Sequence, residues 1–265
     1  MLARQRQAII LEEARRTGAV RVSELVERLG VSDMTIRRDL DVLAGRGLVE
    51  KVYGGATTLD DRSTDEPGFE AKSLQQQDHK EAIAQRAAEL VKPGSAIGLS
   101  AGTTTWTFAR ALAGIADLTV VTNSVHVADA LHEAQQPNRT VILTGGVRTP
   151  SDALVGPVAV QSLRSLHLDL VFLGVHGMAD GPGFTTPNLT EGETDRALID
   201  AARKLVVLAD HTKWGTVGIS TIADLADASV VVSDEHLPED ARKTLSEHVG
   251  SLQIAEVPVR REDDA

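Results

Sequence analysis

The chain has no cysteine, so a disulfide framework and any thiolate-bound metal are excluded. Its eight histidines show no paired ligand spacing such as His-Glu-x-x-His, and no metal is expected. No apolar run is long enough to span a bilayer, and no secretory leader pattern opens the sequence. The expected location is the cytoplasm, with no membrane partner. Gly-x-x-x-x-Gly-Lys-Ser/Thr is absent, as is a Gly-x-Gly-x-x-Gly opening a helix. Nucleoside triphosphates are therefore disfavoured, and no cofactor is expected. What remains, 265 residues at 42% hydrophobic and 25% charged, is an ordinary soluble composition with room for one small and one medium domain.

A basic excess is missing too, since the formal net charge is −11. The charge is segregated. Residues 1–56 hold ten Lys/Arg against eight Asp/Glu, a net of +2, while the other 17 basic and 30 acidic residues leave −13 downstream. An acidic body discourages nonspecific phosphate binding and leaves it to a local basic surface. So small a positive charge on the first segment also favours binding as a homo-oligomer, a dimer or higher.

That segment carries the clearest pattern in the chain. In Val31-Ser32-Asp33-Met34-Thr35-Ile36-Arg37-Arg38-Asp39-Leu40, Ser32 is a good N-cap, and Ile36, Leu40 and Leu43 recur at helical spacing. Thr35, Arg37 and Arg38 are left facing outward. A second short helix, opened by Ser23, runs to Leu29, and Gly30-Val31 supplies the turn between the two. A preceding helix spans 8–16, with Ile10, Leu11 and Ala14 as packing residues and Gly18 at its end. After Gly47, Leu48 to Tyr53 alternates loosely before Gly54-Gly55, as a small β wing would. This is the order of a winged helix-turn-helix. Arginine can fork onto guanine's major-groove edge or onto phosphates, and short hydroxyls at a helix N-terminus suit phosphate oxygens.

From Thr57 to Gln77 the chain is polar and weakly periodic, and reads as a linker, with a second domain over 78–258 and a charged tail over 259–265. A helix is expected from 78 to 91, stopped by Lys92-Pro93-Gly94. Six β-branched runs follow, beginning at Ala96, Leu118, Thr140, Leu170, Leu205 and Val230, and are expected as six buried strands. Helices are expected between them at 105–113, 125–133, 158–166 and 193–202. That alternation implies a Rossmann-like, largely parallel α/β sheet covered by helices.

Ligands of such sheets bind beyond the carboxyl ends of the strands. Here those ends are polar and glycine-rich. Gly102-Thr103-Thr104-Thr105 falls between a strand and a helix, where free N–H groups and hydroxyls would hold a phosphate. Asn123, Gly145, Gly146, His176, Asp210 and Lys213 follow the other strands, and Lys213 could supply a cation to the same ligand.

The first segment resembles the DeoR family of bacterial transcriptional regulators. The resemblance rests on Arg4-Gln5, Val22-Ser23-Glu24-Leu25, Val31-Ser32, Thr35-Ile36-Arg37-Arg38-Asp39-Leu40, Gly47 and Tyr53-Gly54-Gly55-Ala56. It implies that Ser32, Thr35, Arg37 and Arg38 meet double-stranded operator DNA, with Lys51 and Tyr53 on the wing as further candidates. The second half resembles the same family's sensor domain, which is similar to ribose-5-phosphate isomerase and binds phosphorylated sugars. Its matching pieces are Ala101 to Thr104, Thr122-Asn123, Leu143 to Gly146, Asp169 to Gly174, Gly183-Phe184-Thr185, Glu193, Asp210 and Lys213. Two positions depart from the family's pattern: Ser100 stands where an aspartate is usual, and His176 replaces a smaller or polar residue. The resemblance implies a regulator, a repressor of carbohydrate genes released by a sugar phosphate. A sugar-phosphate isomerase-like enzyme fused to a DNA-binding domain is the alternative, with Asp169, Asp180, Glu191, Glu193, Asp195 and Asp210 as candidate acid/base groups by residue type.

Overall fold

A computed structural model describes residues 2–17, 19–46, 48–52, 54–57, 68–134 and 136–258. The chain divides into two compact units, 1–62 and 63–265. The second unit thus begins inside the stretch read as linker, and the charged tail at 259–265 lies outside the described residues.

The first unit contains α1 (Ala3–Thr17), β1 (Ala19–Arg21), α2 (Val22–Leu29), α3 (Asp33–Gly45), β2 (Glu50–Val52) and β3 (Gly55–Thr57). Ile10, Leu11 and Ala14 of α1 pack with Val22 and Leu25 of α2 and with Ile36, Leu40 and Leu43 of α3. Gly30 closes α2 in the left-handed conformation (φ +64°), its N–H on Val26 O at 3.0 Å. Ser32 caps α3 as expected, accepting the Thr35 N–H at 3.3 Å. Ser23 does not open α2: the helix starts at Val22, and Arg21 before it offers no side-chain cap. The wing is a three-stranded sheet in the order β1-β3-β2. Its first strand was not expected, because three residues are too few to show a period. Gly55 is required there, since a Cβ would lie 2.0 Å from the Val20 carbonyl oxygen.

The second unit opens with α4 (Phe69–Ser73), α5 (Gln77–Ala88), β4 (Ala96–Leu99), α6 (Thr103–Ala111), β5 (Thr119–Thr122), α7 (Val125–Glu133) and β6 (Thr140–Leu143). A hairpin follows, β7 (Val147–Arg148) and β8 (Leu154–Val155), then α8 (Pro157–Leu163), β9 (Leu170–Gly174), β10 (Gly177–Ala179), β11 (Gly183–Thr186) and α9 (Leu189–Asp200). The chain ends with β12 (Leu205–Leu208), β13 (Ser220–Ala223), β14 (Ala228–Asp234), α10 (Glu239–His248) and β15 (Leu252–Ala255). Seven strands form one parallel sheet in the order β15-β14-β12-β9-β4-β5-β6. Alternate residues serve opposite faces. Val206 and Leu208 pack with Ile83, Phe108 and Leu131 of α5, α6 and α7, whereas Leu205 and Val207 pack with Leu163, Leu198 and Leu245 of α8, α9 and α10.

Two strand expectations need correction. β6 is an edge strand, its Ile142 39% and Leu143 45% exposed rather than buried. The seventh strand, β15, was missed because its Gln253 interrupts the apolar run. Helix α9 also starts earlier than expected, at an Asn188 cap that accepts the Thr190 and Glu191 N–H groups.

One buried ion pair fixes α1 against α3. Asp39 accepts from Arg6 Nε at 2.5 Å and from Gln7 Nε2 at 2.9 Å, and the Asp39 side chain is 5% exposed. Removing one partner strands the other charge, at a cost of about 3–5 kcal/mol. Asp39→Ala is therefore expected to lower the unfolding transition of the first unit by that amount and leave that of the second unit in place. Two-transition calorimetry checks this; an unchanged first transition would show that the pair is not stabilising.

Candidate functional site

The sheet's winding places a crevice. From β4 the chain proceeds outward through β5 and β6, then returns to β9 on the other side of β4 and proceeds through β12, β14 and β15. Loops leaving β4 and β9 diverge to opposite faces, and the gap beyond their carboxyl ends is where ligands of open α/β sheets bind. A pocket lies there. Its walls include Gly102, Thr103 and Thr104 after β4, Asn123 after β5, His176 after β9, and Lys213 after β12.

At one end of this pocket the backbone is prepared for an anion. The first helical bond of α6 runs from the Trp106 N–H to Gly102 O at 2.9 Å, so the three preceding N–H groups have no acceptor within the helix. No side chain caps them. Gly102 adopts φ +142° and ψ 160°, a conformation essentially confined to glycine. Asn123 Oδ1 holds the loop by accepting the Ala101 N–H at 2.8 Å, which leaves its amide NH2 as a donor at the wall. Ser100 is buried behind the loop. Its Oγ accepts the Gly174 N–H at 3.0 Å and ties the end of β4 to the end of β9.

Four of the residues read as effector contacts do not line this pocket. Thr105 is fully buried, and its hydroxyl donates to Gly102 O at 3.0 Å, closing the loop on itself. Gly145 and Gly146 turn the chain from β6 into β7. A Cβ on Gly146 would lie 2.5 Å from Val155 O, so glycine there serves the hairpin. Asp210 is buried too, accepting the Thr212 N–H at 3.1 Å and so shaping the turn that carries Lys213. Burial works against its ionisation, but Lys213, the Thr212 hydroxyl and Lys80 outweigh that and hold its carboxyl below the usual range.

The pocket also uses residues that sequence reading left out. Phe69 and Lys72 come from α4, in the supposed linker. The Phe69 ring stacks on His126 at 3.9 Å and meets Trp106 edge-on at 5.8 Å, seating α4 over α6 and α7. Lys80 fastens α5 to the same segment, donating to the Lys72 and Gln75 carbonyls at 2.7 Å each. Burial lowers the Lys80 pKa to about 8, with Asp210 opposing the shift.

Opposite the anion end stand Ser151, Thr186, Glu191 and Asp195. Glu191 and Asp195 are four apart on α9, a spacing that puts them on one face. Glu191 accepts from the Thr149 hydroxyl at 2.7 Å and from the Ser151 hydroxyl. Asp195 is driven well above the ordinary carboxylate range by burial, then by the Glu191 charge, against Arg196. That shift favours the protonated form, which can donate a hydrogen bond. The other carboxylates considered lie elsewhere: Asp169 accepts the Ala96 N–H at 3.0 Å at the amino end of β4, and Glu193 is exposed. Asp180 is exposed as well, after β10.

In the first unit, Arg37 and Arg38 are exposed on α3, as expected, while Ile36, Asp39 and Leu40 face inward. Arg37 is held by Asp33 one turn back, Nε to Oδ1 at 2.5 Å. Ser32 and Thr35 share a hydroxyl hydrogen bond at 2.9 Å at the helix start. Lys51 on β2 pairs with Asp41 on α3. Tyr53 lies outside the described residues. Met34, which the sequence reading passed over, is 67% exposed beside the arginines.

Comparison with known proteins gives a consistent result. Residues 6–62 match the profile of a DeoR-like helix-turn-helix domain, and residues 75–235 match that of the DeoR C terminal sensor domain. The uncharacterized HTH-type transcriptional regulator YgbI of Escherichia coli strain K12 is 38% identical over 256 residues, 96% of this chain and 99% of that protein. HTH-type transcriptional regulator GlpR of Haloferax volcanii is 34% identical over 92% of this chain and 95% of its own. The glycerol-3-phosphate regulon repressor of Escherichia coli strain K12 is 30% identical over 94% and 98%. Among solved structures, ribose 5-phosphate isomerase A from Methanocaldococcus jannaschii matches 53% of this chain and 55% of its own, at 19% identity and a TM-score of 0.39.

Asp195 gives the pocket a pH signature. In acid the group is protonated whether the chain is folded or not. As pH rises past the ordinary carboxylate range, the unfolded chain releases its proton while the folded one keeps it, so the wild type loses stability until pH passes the raised folded value. Asparagine stays neutral throughout. Asp195→Asn is expected to match the wild type in acid and to exceed it near neutral pH by the order of 1 kcal/mol. Urea unfolding across pH checks this, and parallel curves for the two proteins would show that Asp195 is ionised.

Proposed function

Because this chain belongs to the DeoR family of transcriptional regulators, we propose that it is a cytoplasmic repressor of carbohydrate-metabolism genes that leaves operator DNA when a phosphorylated sugar fills the β4/β9 pocket. The observation that carries this reading is the pocket's two-ended chemistry. A helix start whose first N–H groups have no acceptor within the helix, in a pocket that Lys72 and Lys213 also line, suits a phosphate. Ser151, Thr186, Glu191 and Asp195 offer the donors and acceptors that sugar hydroxyls need. A relative named for the glycerol-3-phosphate regulon supports a phosphorylated ligand.

Ligand sensing is favoured over catalysis. A sugar-phosphate isomerase needs an ionised base beside its substrate. Here burial pushes the Asp195 carboxyl well above the ordinary range, and Glu191 already accepts from the Thr149, Ser151 and Thr186 hydroxyls. Among the described residues, moreover, no helix is long and apolar enough to cross a membrane, in keeping with a protein that works on DNA.

Release requires that the effector bind the DNA-free arrangement more tightly than the DNA-bound one. Helix α4 is placed to carry that difference. It is the first described element after the first unit in the chain, and its Phe69 and Lys72 line the pocket. In the first unit, Ser32 and Thr35 at the start of α3 are assigned to phosphates, Arg37 and Arg38 to bases or phosphates, and Lys51 and Tyr53 to the flanking backbone. The small positive charge of that unit makes a homo-oligomer the DNA-binding form.

Thermal-shift screening is expected to find stabilisation by phosphorylated sugars and none by their unphosphorylated counterparts. Thr103→Val with Thr104→Val should forfeit about 1.5–3 kcal/mol of effector affinity per hydroxyl while leaving DNA binding intact. Induction indistinguishable from wild type in that variant would move the phosphate elsewhere.

On the DNA side, Arg38→Ala should cost about 1–3 kcal/mol of operator affinity if the side chain reads a base. If it meets a phosphate, all sequences weaken alike and the salt slope flattens. Arg37→Ala should cost less, because Arg37 must give up part of its pairing with Asp33 to bind. Fluorescence anisotropy at several salt concentrations separates these outcomes, and undiminished affinity in the double variant would remove α3 as the reading helix.

A further inference from the structure

Beyond the pocket, four side chains from three separate segments converge at the carboxyl edge of the sheet: His79 on α5, His211 after β12, and Asp234 and His236 at the end of β14. One ligand atom from each lies within 4.8 Å of all the others. His79 Nε2 is 3.1 Å from His236 Nδ1, which is 3.6 Å from Asp234 Oδ1, and that oxygen is 2.9 Å from His211 Nδ1. A tetrahedral cation with ligand bonds of about 2.0–2.1 Å holds its donors about 3.3 Å apart. The three spacings bracket that value.

The carboxylate is already oriented. Asp234 is fully buried, with the His211 N–H on Oδ2 at 2.8 Å and the His236 N–H on Oδ1 at 2.9 Å. Backbone donors of this kind fix the direction of a ligand group. The imidazoles are crowded, with centroids 5.0, 4.9 and 5.5 Å apart. Burial lowers the His79 pKa, and although Asp234 pulls the other way, His211 and His236 add to the lowering. Neutral imidazole is the form that ligates.

We infer that His79, His211, Asp234 and His236 form a site for one divalent cation of the zinc class, separate from the effector pocket. Three imidazole nitrogens and one carboxylate oxygen are a zinc-type donor set. Four protein ligands complete a tetrahedron, so the ion would be structural. It would join α5 to the ends of β12 and β14 and brace the turn that carries Lys213. None of the four ligands lines the pocket, so the site stands or falls independently of the sugar-phosphate reading. Sequence spacing gave no sign of it, because His79 and His211 are far in the chain from each other and from the Asp234–His236 pair.

The test uses tag-free full-length protein, stripped with a chelator, with Co2+ as the probe and Zn2+ as competitor. Visible absorption is expected to show one tight equivalent per chain with the intense ligand-field bands of a tetrahedral centre. His79→Ala with His236→Ala should weaken binding by about 100-fold or more, while His132→Ala on α7 leaves it unchanged. His236→Ala alone should act in the same direction, and its side chain, 59% exposed, is not needed for packing. Absence of saturable binding in the wild type, or equal affinity in either cluster variant, overturns the site.

Discussion

Between β4 and β9 the parallel sheet reverses its winding, and the two loops that leave these strands cannot cover the gap between them. The rest of the second unit is arranged around that gap. Helix α6 goes to one face and presents its N-terminus, α9 goes to the other and presents Glu191 and Asp195, and Ser100 and Asn123 hold the strand ends in place. A single helix start would attract an anion weakly in water. Set into a crevice that two lysines also line, the same partial charge acts through a lower effective dielectric than in bulk water.

Periodicity made the architecture legible. Alternation at 3.6 residues gave α1 and α3, and β-branched runs gave the interior strands, because burial on a fixed face leaves a repeating mark. β6 carried the same β-branched mark and was misplaced. Hydrophobicity signals a strand but says nothing about whether a neighbour lies beyond it. The pocket was legible in part for a related reason. A loop of Gly-Thr-Thr-Thr shows where an anion fits, yet cannot say which hydroxyl points outward; Thr103 and Thr104 face the pocket while Thr105 closes the turn. Gly145 and Gly146 looked like ligand-approach glycines, yet neither lines the pocket, and Gly146 makes the hairpin's close approach to Val155. The far wall was harder to read because Ser151, Thr186 and Glu191 come together through tertiary packing; Glu191 and Asp195 stood out only as carboxylates by residue type, although their four-residue spacing was there to be read.

The two units place charge differently. In the first, one ion pair is internal: Arg6 and Asp39 sit between helices, while Arg37 stays at the surface in a solvated pairing with Asp33. A buried pair with few alternative partners fixes the relative placement of α1 and α3. An exposed pair is worth little and is readily exchanged for another anion. Rigidity beneath and exchangeability above are compatible demands on one helix, met by residues two apart.

Gly102 carries a consequence for how this protein can diversify. Its backbone conformation (φ +142°, ψ 160°) is one that side chains rarely adopt, so any substitution there is strained. A lineage can therefore not retune the anion loop by substitution at its first residue without straining it. Variation in what is sensed is left to the opposite wall, where Ser151, Thr186 and Glu191 sit outside the left-handed region. Paralogues built on this frame would share one grip on the common group of their ligands and drift apart in the remainder, a division of heritable freedom imposed by one dihedral angle.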